Sequence, residues 1–370
     1  MTRDTTKSAV LYGPKDIRIE SKSVDPPKAD EVQVQVTHTG ICGSDLHYYF
    51  DGKNGPYEMK HPFTLGHEAA GRVTDVGSNV KDLKVGDPVA LEVGVACLKC
   101  DICVTRKLYN LCPNLHFRGS AKSYPHYEGT LSEVVNHPAK WCHVIPPGIK
   151  DLALGALAEP LSVAMQAIEK SKIEQESIAP SVLVIGAGTI GQLVAFAAKK
   201  AGAEKTVICD ISDKRVDFAL DSGFADAGVV LKPVKGSEDA ALANFEQVCD
   251  ATGESGFDHV FECTSVELCV QMAYYSANPG ATITLVGMGS PLTYVPLAQA
   301  TVKELSVVAV FRYAHTYPKA LELLDKEQER LLKVVTHRFP LDAAAEAFKA
   351  ASIPVDDKGN LLVKAVISTE

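Results

Sequence analysis

Apolar and polar residues alternate with period two over Glu31-Val32-Gln33-Val34-Gln35-Val36, the pattern of a strand buried on one face. Shorter runs at 71–77 and 85–90 repeat it between turn residues, so the first part of the chain reads as β-rich and barrel-like. Over 153–169 the spacing becomes helical. After Pro180 the two periods take turns: strands are predicted at 181–185 and 205–209, helices at 189–201 and 213–221, and further strands at 259–263 and 282–286. Alternation of this kind builds βαβ units and a parallel sheet. From about Ala309 the character is mixed again, with a helix expected over 341–351. The fold class that follows is α/β, a β-rich part joined to a doubly wound parallel sheet.

Composition adds bounds. A chain of 370 residues is long enough for two domains that each bury a core, and it contains no apolar run able to span a membrane. The first seven residues are polar, without the apolar stretch of a secretory signal, which leads us to expect a cytoplasmic protein. A net charge of −9 with no basic run argues against nucleic acid and for a small molecule as partner. Four of the ten cysteines, Cys97, Cys100, Cys103 and Cys112, are clustered, which in a chain of this kind favours metal over disulfides. Cys142, Cys209, Cys249, Cys263 and Cys269 lie in mostly apolar surroundings, where cysteine behaves as a small hydrophobe.

The chemistry is concentrated in a few places. Cys42, in Gly40-Ile41-Cys42-Gly43-Ser44-Asp45, and the pair His67-Glu68 offer sulfur, nitrogen and oxygen donors, a set suited to a catalytic zinc with one position left open. Glu159 is a candidate to complete or adjust that shell. The four clustered cysteines suit a second, closed zinc site. Downstream, Gly186-Ala187-Gly188-Thr189-Ile190-Gly191 follows an apolar strand and opens a helix, and Asp210 ends the next strand nineteen residues after Gly191. Strand, loop, helix, strand and acid in that order form a dinucleotide site: Gly186 for the tight turn, Gly188 for approach to the pyrophosphate, Gly191 for helix–strand packing. Asp210 would accept from the ribose hydroxyls and repel a 2′-phosphate, favouring NAD over NADP. Arg215 could face the adenosine, or be a solvated helix residue.

With these residues in place, the chain resembles the zinc-containing medium-chain alcohol dehydrogenases, and within them the sorbitol or polyol dehydrogenase branch. The markers are Gly40 through Tyr48, Gly66-His67-Glu68, the four-cysteine lobe, Ala158-Glu159-Pro160-Leu161-Ser162-Val163 and Phe311-Arg312-Tyr313. The resemblance implies a GroES-like catalytic domain over 1–157 and 305–370, with a Rossmann NAD-binding domain over 158–304 inserted. It implies Ser44 as the hydroxyl that contacts the reacting oxygen and His47 as the end of a proton relay. Glu159 stands where ordinary alcohol dehydrogenases carry a cysteine ligand, and would bind zinc directly or orient a water on it. Tyr48, Phe117, Arg312 and Tyr313 would meet the substrate. Ile190, Val286, Gly287, Met288, Val310 and Phe311 would line the cofactor. Between Cys103 and Cys112 lie eight residues where the family has seven, an insertion expected to bulge outward.

Plainer roles stand beside these. His67, Tyr48, Phe117 and Tyr313 could be packing residues, Glu68 a surface carboxylate, Glu159 a helix cap and Arg312 an ion-pair partner. The expected activity is zinc- and NAD-dependent oxidation of a secondary hydroxyl of a sugar alcohol to a ketose: zinc acidifies the hydroxyl and hydride leaves for the nicotinamide. Sorbitol is the first guess, with xylitol, L-arabinitol and galactitol open. The rivals are an L-idonate or threonine dehydrogenase and, from another class, a non-catalytic NAD(H)-binding protein. The resemblance suggests a homotetramer or homodimer joined through the Rossmann sheets. The segment 281–286 could extend such a sheet across a two-fold axis or serve as a central strand.

Overall fold

The computed structural model describes residues 5–232, 234, 239–290 and 292–369; the first four residues of the polar N-terminus lie outside the described residues. Contacts divide the chain into two units, Met1–Glu159 with Ala314–Glu370, and Pro160–Tyr313. The chain returns to the first unit later than residue 305, because Ser306–Ala309 is a strand of the second unit's sheet.

In the first unit, the alternating segment is the strand Glu31–Gly40. It pairs antiparallel with Glu68–Val76, with Val134–Pro138 and with Lys364–Ser368 near the C-terminus. The register sets Gly40 opposite Glu68 on one side and Val366 on the other. That pairing brings both ends of the sequence to one place, and it is where the metal-type residues gather. Inward valines, Val32, Val34 and Val36, pack with Val73, Val89 and Leu91. A second core on the other side joins Leu11, Tyr48, Tyr49 and Phe63 to Phe348 and Ile367. The predicted C-terminal helix is present as a short 3-10 turn, Leu341–Ala343, running into Ala344–Ala351.

The second unit carries a six-stranded parallel sheet in the order Ala227–Val230, Lys205–Asp210, Ser181–Ile185, Phe257–Glu262, Ala277–Leu285, Ser306–Ala309. In chain order that is 3-2-1-4-5-6, the doubly wound arrangement in which ligands bind at the carboxyl ends of the strands, where the order reverses. The strand proposed either as an edge or as a central strand, Ala277–Leu285, has neighbours on both sides. The edges are Ser306–Ala309 and, at the other side, Ala227–Val230. No helix among the described residues is long and apolar enough to cross a membrane.

Candidate active site

Cys42 caps the helix Gly43–Asp51. Asp45, three residues on, accepts the Cys42 N–H at 3.0 Å, one half of a capping box. The same carboxylate accepts the Gly66 N–H at 3.1 Å and lies 3.3 Å from His67 Nδ1. Asp45, 1% exposed, thus fixes the cysteine segment and the histidine segment against each other and leaves Nε2 as the ring nitrogen turned away from it. Burial pushes the His67 pKa down, but the charges of Asp45 and Cys42 outweigh it and hold it well above the ordinary value. Ser44 Oγ is 3.3 Å from His67 Nε2, and the Phe117 ring packs on His67 at 5.5 Å between centroids.

Glu68 begins the next strand and is 1% exposed. Both of its oxygens accept from Lys364 Nζ at 2.8 Å, and the same ammonium donates to the Ile41 carbonyl at 3.0 Å. Burial lowers the Lys364 pKa and the charges of Glu68 and Cys42 raise it more, so the ammonium stays protonated. A Cβ on the neighbouring Gly40 would sit 2.1 Å from Glu68 Oε2, so a side chain there would push the carboxylate from its place on Lys364. Donor atoms of Cys42, His67 and Glu68 lie within 4.8 Å of one another. A thiolate, an imidazole and a carboxylate at that spacing fit zinc. Glu159 is buried in the same unit but is not in this converging set.

His47 points to solvent, its Nδ1 3.9 Å from Asp51. Tyr48 is in the core, its ring edge-on to Phe63 and its hydroxyl accepting the Ala121 N–H at 3.0 Å. Arg312 has a left-handed backbone and lays its guanidinium over Phe311, and Tyr313 is buried.

The sulfurs of Cys97, Cys100, Cys103 and Cys112 also converge within 4.8 Å, with Cys100–Cys103 and Cys112–Cys97 at 3.5 Å. The longer spacing does not prevent closure. Val104 and Leu111 turn outward, Lys107 takes a left-handed backbone, and Tyr109 turns in. Backbone N–H groups of Lys99 and Cys100 pull the Cys97 thiol down to about 6, while burial pushes Cys103 up to about 12.

In the second unit, Gly186 adopts φ +97°, a Cβ on Gly191 would lie 1.8 Å from the Gly186 carbonyl, and a Cβ on Gly188 would meet nothing within 4 Å. That open cradle at the start of the helix Thr189–Lys200 is what a diphosphate fills. Asp210 accepts from Ala187 N at 2.7 Å and Ser212 N at 2.9 Å, so it braces the glycine loop. The backbone carbonyl of Arg215 accepts from Gln192 Nε2, with the residue half-buried on the helix Asp213–Asp221. Val286, Gly287 and Met288 follow the carboxyl end of Ala277–Leu285, and Val310 and Phe311 follow that of Ser306–Ala309. All therefore lie at the same end of the sheet as the glycine loop, as does Ile190, the second residue of the loop's helix.

Sequence reasoning assigned no role to Asp45, Lys364 or Glu262. The Cys-x-x-Asp capping spacing was a readable signal for Asp45. Lys364 has none, lying 296 positions from Glu68. Glu262 ends its strand, is 1% exposed, and accepts from the N–H of Thr264 and of Ser265, tying down the turn beside Gly186; burial raises its pKa.

Residues 28–147 match the family described as the alcohol dehydrogenase GroES-like domain, and 189–326 that described as zinc-binding dehydrogenase. The chain is 37% identical over 342 residues to a sorbitol dehydrogenase of Macaca fascicularis, covering 92% of this chain and 91% of the relative. Among solved structures it is similar to an L-idonate 5-dehydrogenase of Escherichia coli, with a TM-score of 0.85 and 28% identity over 98% of each chain. It is also similar to an E. coli alcohol dehydrogenase complexed with NADH, at 0.84 and 27%, covering 99% of this chain and all of that one.

Proposed function

The chain belongs to the zinc-binding medium-chain alcohol dehydrogenases, and we propose that within them it is a polyol dehydrogenase, oxidising a secondary hydroxyl of a sugar alcohol to a ketose with NAD. The observation that carries the reading is the converging Cys42–His67–Glu68 set with Ser44 beside it, in a chain 37% identical to a sorbitol dehydrogenase. When bound, zinc supplies a Lewis acid that lowers the pKa of an alcohol, and NAD supplies the hydride acceptor.

The chain's own residues do the rest. Cys42, His67 and Glu68 hold the metal, and Asp45 orients the His67 ring. Ser44 Oγ accepts the substrate proton's hydrogen bond and passes the proton towards His47, whose exposed ring delivers it to solvent. Glu159, outside the converging donors, would complete the metal's shell or orient a water beside it. Phe117 shields one side of His67 and excludes water, while Arg312, with Tyr313 and Tyr48, fixes the remaining hydroxyls of the substrate. Cys97, Cys100, Cys103 and Cys112 hold a second, structural zinc. Gly186, Gly188, Gly191 and Ile190 carry the diphosphate, Asp210 and Arg215 the adenosine, and Val286, Gly287, Met288, Val310 and Phe311 the nicotinamide end.

Two chains pair through the strand Ser306–Ala309, an edge of the parallel sheet that carries exposed Val307 and is preceded in the chain by exposed Leu292, Tyr294, Leu297 and Val302. Sedimentation showing only monomer at micromolar protein contradicts this. Ten free cysteines suit a reducing compartment, and we place the protein in the cytoplasm.

The test is a panel read at 340 nm: NAD or NADP with sorbitol, xylitol, L-arabinitol, galactitol, L-idonate, threonine and ethanol, before and after chelation. Chelator-sensitive NADH formation with the polyols supports the assignment. Turnover with L-idonate alone would move it to a hydroxy acid, and no turnover at all to a binding-only role.

A further inference from the structure

The eight residues between Cys103 and Cys112 reach well beyond the cysteines. Tyr109, in the 3-10 turn Tyr109–Leu111, accepts the backbone N–H of His315 on its hydroxyl at 2.6 Å, and the Lys107 carbonyl meets His315 Nε2 at 2.8 Å. The Tyr109 ring also lies edge-on to the His315 ring, 4.7 Å between centroids. His315 stands two residues after Tyr313 and three after Arg312.

The segment they grip is strained. Arg312 and His315 both have left-handed backbones, φ +56° and +63°, without being glycine. Such residues persist only where the surroundings over-determine them. At His315 those surroundings belong to the cysteine lobe. The grip is itself anchored, because the Tyr109 hydroxyl donates to Glu92 Oε1 at 2.6 Å and the other Glu92 oxygen meets His143 Nε2 at 2.7 Å. His143 stacks on Tyr317, whose hydroxyl donates to the Leu91 carbonyl at 2.8 Å, so the segment is held again two residues on.

We propose that Lys107 and Tyr109 are positioning residues: they latch the segment Ala314–Tyr317, and through the chain that continues from it the four-cysteine lobe sets the conformation of the substrate pair Arg312–Tyr313. The inference rests on the polyol reading above. It gives the one-residue-longer loop a purpose, since left-handed Lys107 and inward-turned Tyr109 both fall within it. A purely structural Tyr109 would affect stability and leave substrate affinity alone.

The experiment uses the zinc-loaded enzyme. Tyr109→Phe removes the hydroxyl that serves both Glu92 and His315, and His315→Ala removes the imidazole, with its contact to the Lys107 carbonyl and its edge-on packing on Tyr109, while keeping the backbone N–H that meets Tyr109. For the first we expect KM for the polyol to rise about 10-fold with kcat within about twofold, and for the second about 3-fold, with KM for NAD unchanged in both. The single tryptophan, Trp141, packs on Tyr109 at 5.0 Å and reports the latch directly. Titrating the ketose product into NAD-saturated wild type, where no hydride can move, should change Trp141 emission saturably, and Tyr109→Phe should abolish the response. Unchanged KM in both variants, or wild-type emission that stays flat at ketose concentrations that fully inhibit, overturns the latch. Should Tyr109→Phe fail to fold, His315→Ala and the wild-type titration decide. A wild type that oxidises no polyol overturns the polyol reading and this proposal together, which is distinguishable from an active wild type with unaffected variants.

Discussion

Replacing Lys364 with methionine should tighten zinc at the catalytic site, although it removes a salt bridge and destabilises the protein. In the metal-free protein the Glu68 carboxylate, 1% exposed, has both oxygens on Lys364 Nζ. Removing one partner of a buried pair costs about 3–5 kcal/mol, because the other charge is stranded. Methionine fills the volume of the lysine stem, so no cavity adds to the cost. The Ile41 carbonyl loses its donor as well, but it does so with or without metal, and that loss of about 1 kcal/mol cancels from the comparison. With a divalent cation beside Glu68, the stranded charge finds a new partner. If about 2 kcal/mol of the penalty is recovered on metal binding, the zinc dissociation constant should fall roughly 30-fold. The assay titrates the metal-free enzyme with zinc buffers and reads the half-point of returning activity, which is independent of any change in kcat. An unchanged half-point, or one shifted to higher zinc, would show that Lys364 does not compete for Glu68 and refute the reasoning.

Asp45→Asn keeps an oxygen but places an amide donor against a site where Cys42 N, Gly66 N and His67 Nδ1 converge; metal affinity or kcat should drop about 10- to 100-fold, checked by zinc analysis and 340 nm kinetics. Cys112→Ser should reduce bound zinc from two ions per chain to one by atomic absorption, and two ions retained would contradict the lobe assignment. Asp210→Ala removes the charge that repels a 2′-phosphate, so the ratio of NADP to NAD efficiency should rise about 10-fold or more, with wild-type-like preference as the contrary result. His137 is fully buried and held well below its ordinary pKa, first by burial and then by Arg118, so its contribution is fully present above about pH 6.5 and falls below it, where the unfolded chain takes up a proton that the folded His137 does not. Between pH 6.5 and 5.5 this residue should withdraw about 1 kcal/mol of stability, and calorimetry on His137→Asn should show a shallower acid decline than wild type.

Much of the fold was legible because its signals are local. The alternation at 31–36 gave the central strand of the first unit, and the glycine loop with Asp210 gave the first two strands and the first helix of the parallel sheet almost to the residue. The metal donors were legible for the same reason, since each sits in a short motif. What could not be read depends on distant pairing. Lys364 reaches Glu68 only because the C-terminal strand adds beside Gly40, and a lone lysine in Leu-Val-Lys-Ala-Val carries no mark of that. The resemblance places the boundary at 305, whereas the parallel pairing of Ser306–Ala309 with Ala277–Leu285 keeps that strand in the parallel sheet. Tyr48 illustrates the reverse: its position in a family motif suggested a substrate contact, while its buried ring and its hydrogen bond from Ala121 give it structural work as well.

The central claim is that hydride passes from a secondary carbon of a polyol to NAD under the control of the Cys42–His67–Glu68 metal. The most direct test supplies sorbitol deuterated at every carbon, with NAD and the zinc-loaded protein, and analyses both products by mass spectrometry. The account predicts one deuterium in the reduced nicotinamide, a ketose as the other product, and neither from Cys42→Ala. Unlabelled NADH, an aldose, or equal turnover by Cys42→Ala would contradict it.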